Sequence, residues 1–367
     1  MQTIEFAALF SGRLLRVVNY DAREFQFPQR LAGVFEMMRS RARYGLGDAL
    51  SLLAAVSLIL SAAVPGAQSQ SSTLAQYAQK SYQMEQGMPQ DEVRSIAQTP
   101  DGYLWFATRD GLARFDGVHF TVFNKENTEG IGHDMFGALL VDRHGRLWLA
   151  TGSGLSCYEA GKFRRYTVPD GLPDDAIHSL LEDRNGNIWV GTWSGLAVFN
   201  GSQFRVFGTR DGLGNKAISA LATDGRSGVW IGTIGGGLAH FVDGRFLTYR
   251  ESNGLPSNVI ESLLQDSTGE LWVGTLRGFA RATAAGRFEA VKELPGEAIV
   301  AWEDQASHIW ASTENFTARL DRARSPRFQR EPDLDKFTVA TLFQDKEGSL
   351  WVEISRQEHP QQVRRQR

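Results

Sequence analysis

Four side chains of differing chemistry share one place in a recurring pattern, eleven residues before a repeated Trp: Arg94, His178, Ser219 and Glu261. A guanidinium, an imidazole, a hydroxyl and a carboxylate at one height around an axis can bind a polar ligand, although a solvated lining accounts for them more simply. A second set lies in predicted loops, where Asp174, Asp175 and Trp193 share one face with Arg109 and Arg277. Charged groups can take the hydroxyls of a sugar or another small polar molecule while an indole takes its apolar ring face. Trp193 occurs in one repeat alone, which separates it from the Trp of the pattern. Catalytic groups are not expected, because the sequence has no nucleophile elbow, phosphate-cradling loop or zinc spacing. Its seven His residues fall at unrelated pattern positions. The recurrent Asp of a DxxG unit suits hairpin closure better than calcium, since one carboxylate per turn makes a poor cation site. No metal and no cofactor is therefore expected.

The elements that must position these groups follow from the Trp period. Trp105, Trp148, Trp189, Trp230, Trp272, Trp310 and Trp351 recur every 38 to 43 residues, within the range of one propeller blade. Asp stands six before each of them, with Thr99 in the first, and Gly or Ser stands three before. A small residue and Thr usually follow, then a Gly, as in Gly191, Thr192 and Gly195. In repeat three AIHSLLED, NIWVGT, LAVF and QFRVFG read as four short antiparallel strands separated by DRNG, WSG and NGS turns. A four-stranded sheet this small must bury both faces against neighbours. The apolar residues twelve and nine before each Trp, such as Ile177 and Leu180, are accordingly expected on opposite faces of strand one. The expected fold is all-β, a β-propeller of four-stranded blades, seven in number with an incomplete last blade. Beyond Ile354 the pattern fails, and AQYAQKSYQMEQGMP ahead of blade one is positioned to supply a closing strand.

Composition agrees with a folded chain, at 42% hydrophobic and 22% charged residues. Lys and Arg number 39 against 42 Asp and Glu, so no basic excess points to nucleic acid or an anionic membrane as partner. A single cysteine, Cys157, excludes an internal disulfide. The uncharged run ALSLLAAVSLILSAAV follows Arg39, Arg41 and Arg43 and precedes small residues, the pattern of a leader cleaved between Val64 and Gln70. Met37 or Met38 would give that leader an ordinary start. The chain thus divides into residues 1–67, a leader with an N-terminal extension, residues 68–355, the propeller, and residues 356–367, a basic tail or truncation point. Export to the periplasm or another extracytoplasmic space is expected, with no membrane insertion of the mature domain. The alternative is a tether formed by an uncleaved N-terminal segment.

The unit resembles the two-component regulator propeller repeat, GLPxDxVxSLxxDxxGxLWVGTxxGLxRFDGxxF. GLPDDAIHSLLEDRNGNIWVGTWSGLAVFNGSQF of repeat three and GLPSNVIESLLQDSTGELWVGTLRGFARA of repeat five carry the likeness, which extends from Gly87 to about Arg287. Repeats six and seven keep the Asp and Trp and lose GTxxGL. The resemblance implies an extracytoplasmic sensor in signal transduction, binding a small-molecule or glycan ligand and working with a membrane-bound histidine kinase or another output domain. That transmitter is absent from this sequence, which reads as a possible fragment of a larger receptor. Streptogramin-lyase-like propellers also repeat DxxGxxW, and propellers commonly present a face to proteins, so an enzyme and a protein-binding scaffold are the rival readings.

Overall fold

The computed structural model describes residues 15–21, 78–283, 286–323, 325–334 and 337–356. The described chain is an all-β propeller with six blades, each of four consecutive antiparallel strands: residues 93–123, 136–166, 177–207, 218–249, 260–290 and 298–330. In blade three the strands are Ile177–Glu182, Ile188–Thr192, Leu196–Phe199 and Phe204–Phe207, where the sequence pattern placed them.

The DxxGxxW unit is a hairpin that also fixes its own Trp. Asp183 Oδ1 accepts the backbone N–H groups of Asn185 and Asn187 at 2.8 and 2.9 Å, and Gly186 turns the chain at φ 84°. Asp183 Oδ2 accepts the indole N–H of Trp189 at 2.9 Å. The same indole bond recurs in blades two, five and six, and between Trp351 and Asp345. In blade one the Thr99 hydroxyl takes the place of the carboxylate, 3.0 Å from Trp105 Nε1. Blade four substitutes His240, which reaches Asp224 at 3.1 Å and lies flat on Trp230. Held this way, the indoles bridge blades: Trp105 meets Tyr158 of blade two, Trp148 meets Phe199 of blade three, and Trp189 meets Phe241 of blade four.

Strand one departs from the expected alternation. A register shift falls between Ile177 and Ser179, and likewise between Val93 and Ser95, Ile218 and Ala220, and Ile260 and Ser262. The residue passed over in each case is the one eleven before the Trp, so Arg94, His178, Ser219 and Glu261 are β-bulge residues. One extra residue changes the parity of the strand. Ile177 and Leu180 consequently join one cluster with Trp148, and Ile218 and Leu221 join one with Trp189, instead of lying on opposite faces. The opposite face begins at the next residue, Leu181, which packs with Trp189.

A further four-stranded sheet joins the two ends of the described chain. Its strands Phe337–Gln344 and Leu350–Arg356 carry Trp351, and its outermost strand is Ala78–Tyr82. The third position, expected to be missing or degenerate, is taken by Leu15–Asp21, which pairs antiparallel with Leu350–Arg356. Tyr82 stacks on Trp351 at 5.5 Å in the cluster that also holds Val93, Phe106 and Phe115 of blade one. Apart from Leu15–Asp21 the leader lies outside the described residues, as does the tail beyond Arg356. Among the described residues, no helix is long and apolar enough to cross a membrane.

Candidate functional site

A cavity of about 450 Å³ opens where the bulges of blades one to three meet the loop face, a volume suited to a mono- or disaccharide-sized ligand. Glu92, Arg94, Met135, His178, Trp193 and Thr341 are among the residues that line it. The structure thus brings together three of the expected site residues, Arg94, His178 and Trp193. A bulge turns a side chain out of the sheet's normal alternation, and here it delivers Arg94 and His178 to the cavity wall. Trp193 is 45% exposed, and its ring meets His178 edge to face at 4.4 Å between centroids. Partial loss of water and the Arg94 charge depress the His178 pKa, with Asp174 opposing them, which favours the neutral imidazole.

The other expected residues have structural engagements instead. Asp174 accepts the Ala176 N–H at 3.0 Å and the Ser194 hydroxyl at 2.7 Å, tying the loop before strand one to the loop after strand two. Asp175 Oδ1 caps the short 3-10 turn Val168–Asp170 through the Val168 N–H, and Asp91, Asp134 and Asn258 accept equivalent bonds. That role was visible as the D of the repeating GLPxD, a signal of scaffold more than of ligand. Arg277 pairs at 2.6 Å with Glu251, in the turn between blades four and five, and Arg109 pairs with Glu92 at 3.2 Å. Glu261 is raised by burial and by Glu297, in a part of the ring that does not line this cavity. The threonines after the Trp residues also hold loops: Thr192 donates to the Gly195 carbonyl at 2.8 Å, as Thr108, Thr151, Thr233 and Thr275 do in their blades.

Glu353 went unnoticed in the sequence. It stands two residues after Trp351, where other repeats have Ala107, Ala150, Gly191, Gly232, Gly274 and Ser312. At 1% exposure its carboxyl is buried, with Oε2 unpartnered. Glu353 lies opposite Thr341, whose hydroxyl donates to the Val93 carbonyl at 3.2 Å across the seam to blade one. Burial, reinforced by the charge of Glu92 and opposed by a backbone bond at Ala340, pushes its pKa up to about 8. The break in small-residue usage was the available signal. Cys157, also buried, has its thiol pushed up to about 12 by desolvation, which suits a packing role.

A second cavity of about 490 Å³ lies between blades five and six, lined by Trp272, Phe328 and several charged groups. Its arginines are matched by acids: Arg322 pairs with Asp266 and Glu270, Arg281 with Glu289 and Glu270, and Arg327 with Glu293. Among the described residues no group of three or more His, Cys, Asp or Glu could hold a metal ion.

Comparison with known proteins places these features in context. The profile of the family described as two component regulator propeller matches residues 87–110, 171–194 and 254–277. No curated protein matches the chain. Among solved structures, the extracellular domain of BT3049 from B. thetaiotaomicron, described as a hybrid two component system, is similar at TM-score 0.62 and 22% identity, over 75% of this chain and 40% of that one. The extracellular domain of BT4673 from the same organism, described as a one component system, is similar at TM-score 0.61 and 18% identity, over 78% of this chain and 44% of that one. This chain therefore spans less than half the length of either domain. Virginiamycin B lyase from Staphylococcus aureus has a TM-score of 0.55 and 13% identity over 71% of this chain and 94% of its own. At these identities the likeness is one of fold.

Proposed function

We propose that this chain, which carries two component regulator propeller repeats, is an extracytoplasmic ligand-sensing module rather than an enzyme. It binds a small polar molecule such as a sugar and passes occupancy to a membrane-bound histidine kinase or another output domain. The observation that carries this reading is the cavity in the loop face, where Arg94 and His178 project from bulges beside the exposed ring of Trp193. A rigid repeated frame with unrepeated groups at one mouth is the expected build of a binding site grafted on a scaffold. Six four-stranded blades supply the frame, and the sheet combining Leu350–Arg356 with Ala78–Tyr82 serves as a seventh.

The test is a thermal-shift screen of mono- and oligosaccharides, followed by calorimetry on wild type and Trp193→Ala. A ligand that raises the melting temperature and loses at least tenfold in affinity in the variant supports the site. A ligand whose affinity is unchanged in Trp193→Ala places binding elsewhere.

Export has its own test, because a leader cleaved between Val64 and Gln70 would take the strand Leu15–Asp21 with it. N-terminal sequencing of protein recovered from outside the cytoplasm is expected to begin within that window, leaving the third position of the last sheet open. A chain that retains residues 15–21 would be the tethered form.

A further inference from the structure

Three seams, from blade one to blade four, are each closed by four rings. Around Trp105 stand Phe123 of its own outer strand and Tyr158 and Phe163 of blade two, with neighbouring centroids 4.7 to 5.7 Å apart. Trp148, Tyr166, Phe199 and Phe204 fill the same four places at the next seam. Trp189, Phe207, Phe241 and Phe246 fill them at the one after. Strand pairing defines the places: Phe207 faces Leu196, and Phe241 faces Val229. Between blades five and six the pairing is the same, yet two of the rings are missing. Val291, whose N–H donates to the Phe279 carbonyl at 2.8 Å, stands in the place of Phe207, and Leu320, opposite Ile309, stands in the place of Phe241. Trp272 and Phe328 remain, edge to face at 5.4 Å. The seam between blades four and five also lacks one ring, where Ala282 faces Phe288, but there His240 lies flat on Trp230 at 3.8 Å. Among the described residues no second ring meets Trp272, and the cavity of about 490 Å³ opens at this place, with Trp272, Val291, Leu320 and Phe328 in its wall.

We propose that this cavity is a second ligand site, which takes a free aromatic amino acid whose ring supplies what the seam lacks. Buried Trp272 and Leu320 form an apolar floor, and half-buried Val291 and Phe328 stand at its sides. A ring there regains the edge and face contacts that the three complete seams make internally. Arg322, anchored by Asp266 at 2.6 Å and Glu270 at 2.7 Å, lies 5.8 Å from the centre of the Trp272 ring and brings to the cavity a cation that attracts a π face and not a saturated ring. The charges at the mouth balance: Arg281, Lys292, Arg322 and Arg327 stand against Glu270, Glu289, Glu293 and the Asp266 that holds Arg322. Both signs at one mouth suit the ammonium and carboxylate of a zwitterion better than a guest with a net charge. The site goes beyond the sensing reading and does not rest on it, since the two cavities share no lining residue.

The test titrates the full chain with phenylalanine, tyrosine and tryptophan by calorimetry, with cyclohexylalanine as the saturated control. At least one aromatic amino acid is expected to bind, about tenfold more tightly than cyclohexylalanine. Val291→Phe puts into this seam the ring that the complete seams carry. It is expected to raise the melting temperature by about 2 °C and to weaken the aromatic ligand by about tenfold or more. Should the larger side chain lower the melting temperature instead, methyl NMR on the wild-type protein decides. Contacts between ligand ring protons and the methyl groups of Val291 and Leu320 support the site, and binding without them overturns it. Failure of all three aromatic amino acids to bind, equal affinity for cyclohexylalanine, or full affinity in a folded Val291→Phe also overturns it. Each of these outcomes leaves the sugar screen at the loop face to be judged on its own result.

Discussion

Blade three and the sheet at the chain ends share one Asp–Trp hairpin, and they diverge two residues beyond it. Trp189 and Trp351 each donate to an Asp six residues earlier at 2.9 Å. Gly191 then lets strand two approach the next blade so closely that an added Cβ would fall 2.6 Å from Ile218 Cγ2 and would also meet the Ser179 hydroxyl. At the equivalent place the end sheet carries Glu353, buried and with one oxygen unpartnered. The hairpin is therefore the constant element, and the seam between blades is the part that varies. A seam of Gly against Ile is closed by packing alone, whereas a seam holding a carboxyl depends on that group staying protonated.

Removing the constant element has the largest effect. Trp189→Ala takes away an indole that bridges to Phe241 and Phe207, and it should cost about 3 to 5 kcal/mol in denaturant melts. A loss no greater than that of an exposed aromatic would mean that blades pack without it.

The seam comes next. Glu353 has a folded pKa of about 8 against an ordinary 4.5, so the folded state holds a proton that the unfolded state releases between those values. Stability from this group is accordingly complete below about pH 4.5 and is lost as pH rises toward 8. Glu353→Gln keeps the shape and cannot ionise. It should match wild type near pH 5 and exceed it at pH 8 by an amount on the order of 3 kcal/mol. Parallel stability profiles for the two proteins would show that the carboxyl is hydrated and the seam open. Gly191→Ala, the reverse experiment in blade three, should destabilise by about 1 to 3 kcal/mol at every pH.

The comparison also explains what could be read without the structure. The period, the four strands and the scaffold role of the recurring Trp were legible because they repeat, and repetition averages out local accident. The bulge was written in the sequence as well, as apolar residues at an odd spacing, Ile177 and Leu180, flanking an unrepeated one. An odd spacing fits either two faces or one extra residue, and only the pairing of Ile177 with Thr192 and Ser179 with Gly191 decides between them. Asp175 looked like a free carboxylate because its partner is a backbone N–H seven residues away, which side-chain chemistry does not reveal. The Leu15–Asp21 strand was beyond reach, being separated by more than three hundred residues from the strand it pairs with.

A smaller effect is expected at the carboxylate of the hairpin. Burial alone would raise Asp183, but the Trp189 indole, the Asn187 side chain and the turn's backbone N–H groups outweigh it and hold the carboxyl below its ordinary value. A depressed acid pKa contributes stability that is present above about pH 4 and disappears as pH falls through the folded value. Asp183→Ala strands the Trp189 N–H and two backbone donors, so a loss of about 1 to 3 kcal/mol is expected at neutral pH. Melts of the variant should also show a weaker acid dependence than wild type, and an identical acid limb would assign that dependence to other groups.

The smallest effect separates the two kinds of tryptophan. Trp193 is 45% exposed, and among the described residues its ring meets that of His178 alone, so it gives up less packing than the buried hairpin indoles. Trp193→Ala should cost about 1 kcal/mol, well under the loss at Trp189. The same change should abolish much of any fluorescence response to a bound sugar, because the Trp residues of the hairpins are packed between blades and far less accessible. If Trp193→Ala proved as damaging as Trp189→Ala, the loop indole would belong to the frame, and the cavity beside it would lose the aromatic surface proposed for a ligand.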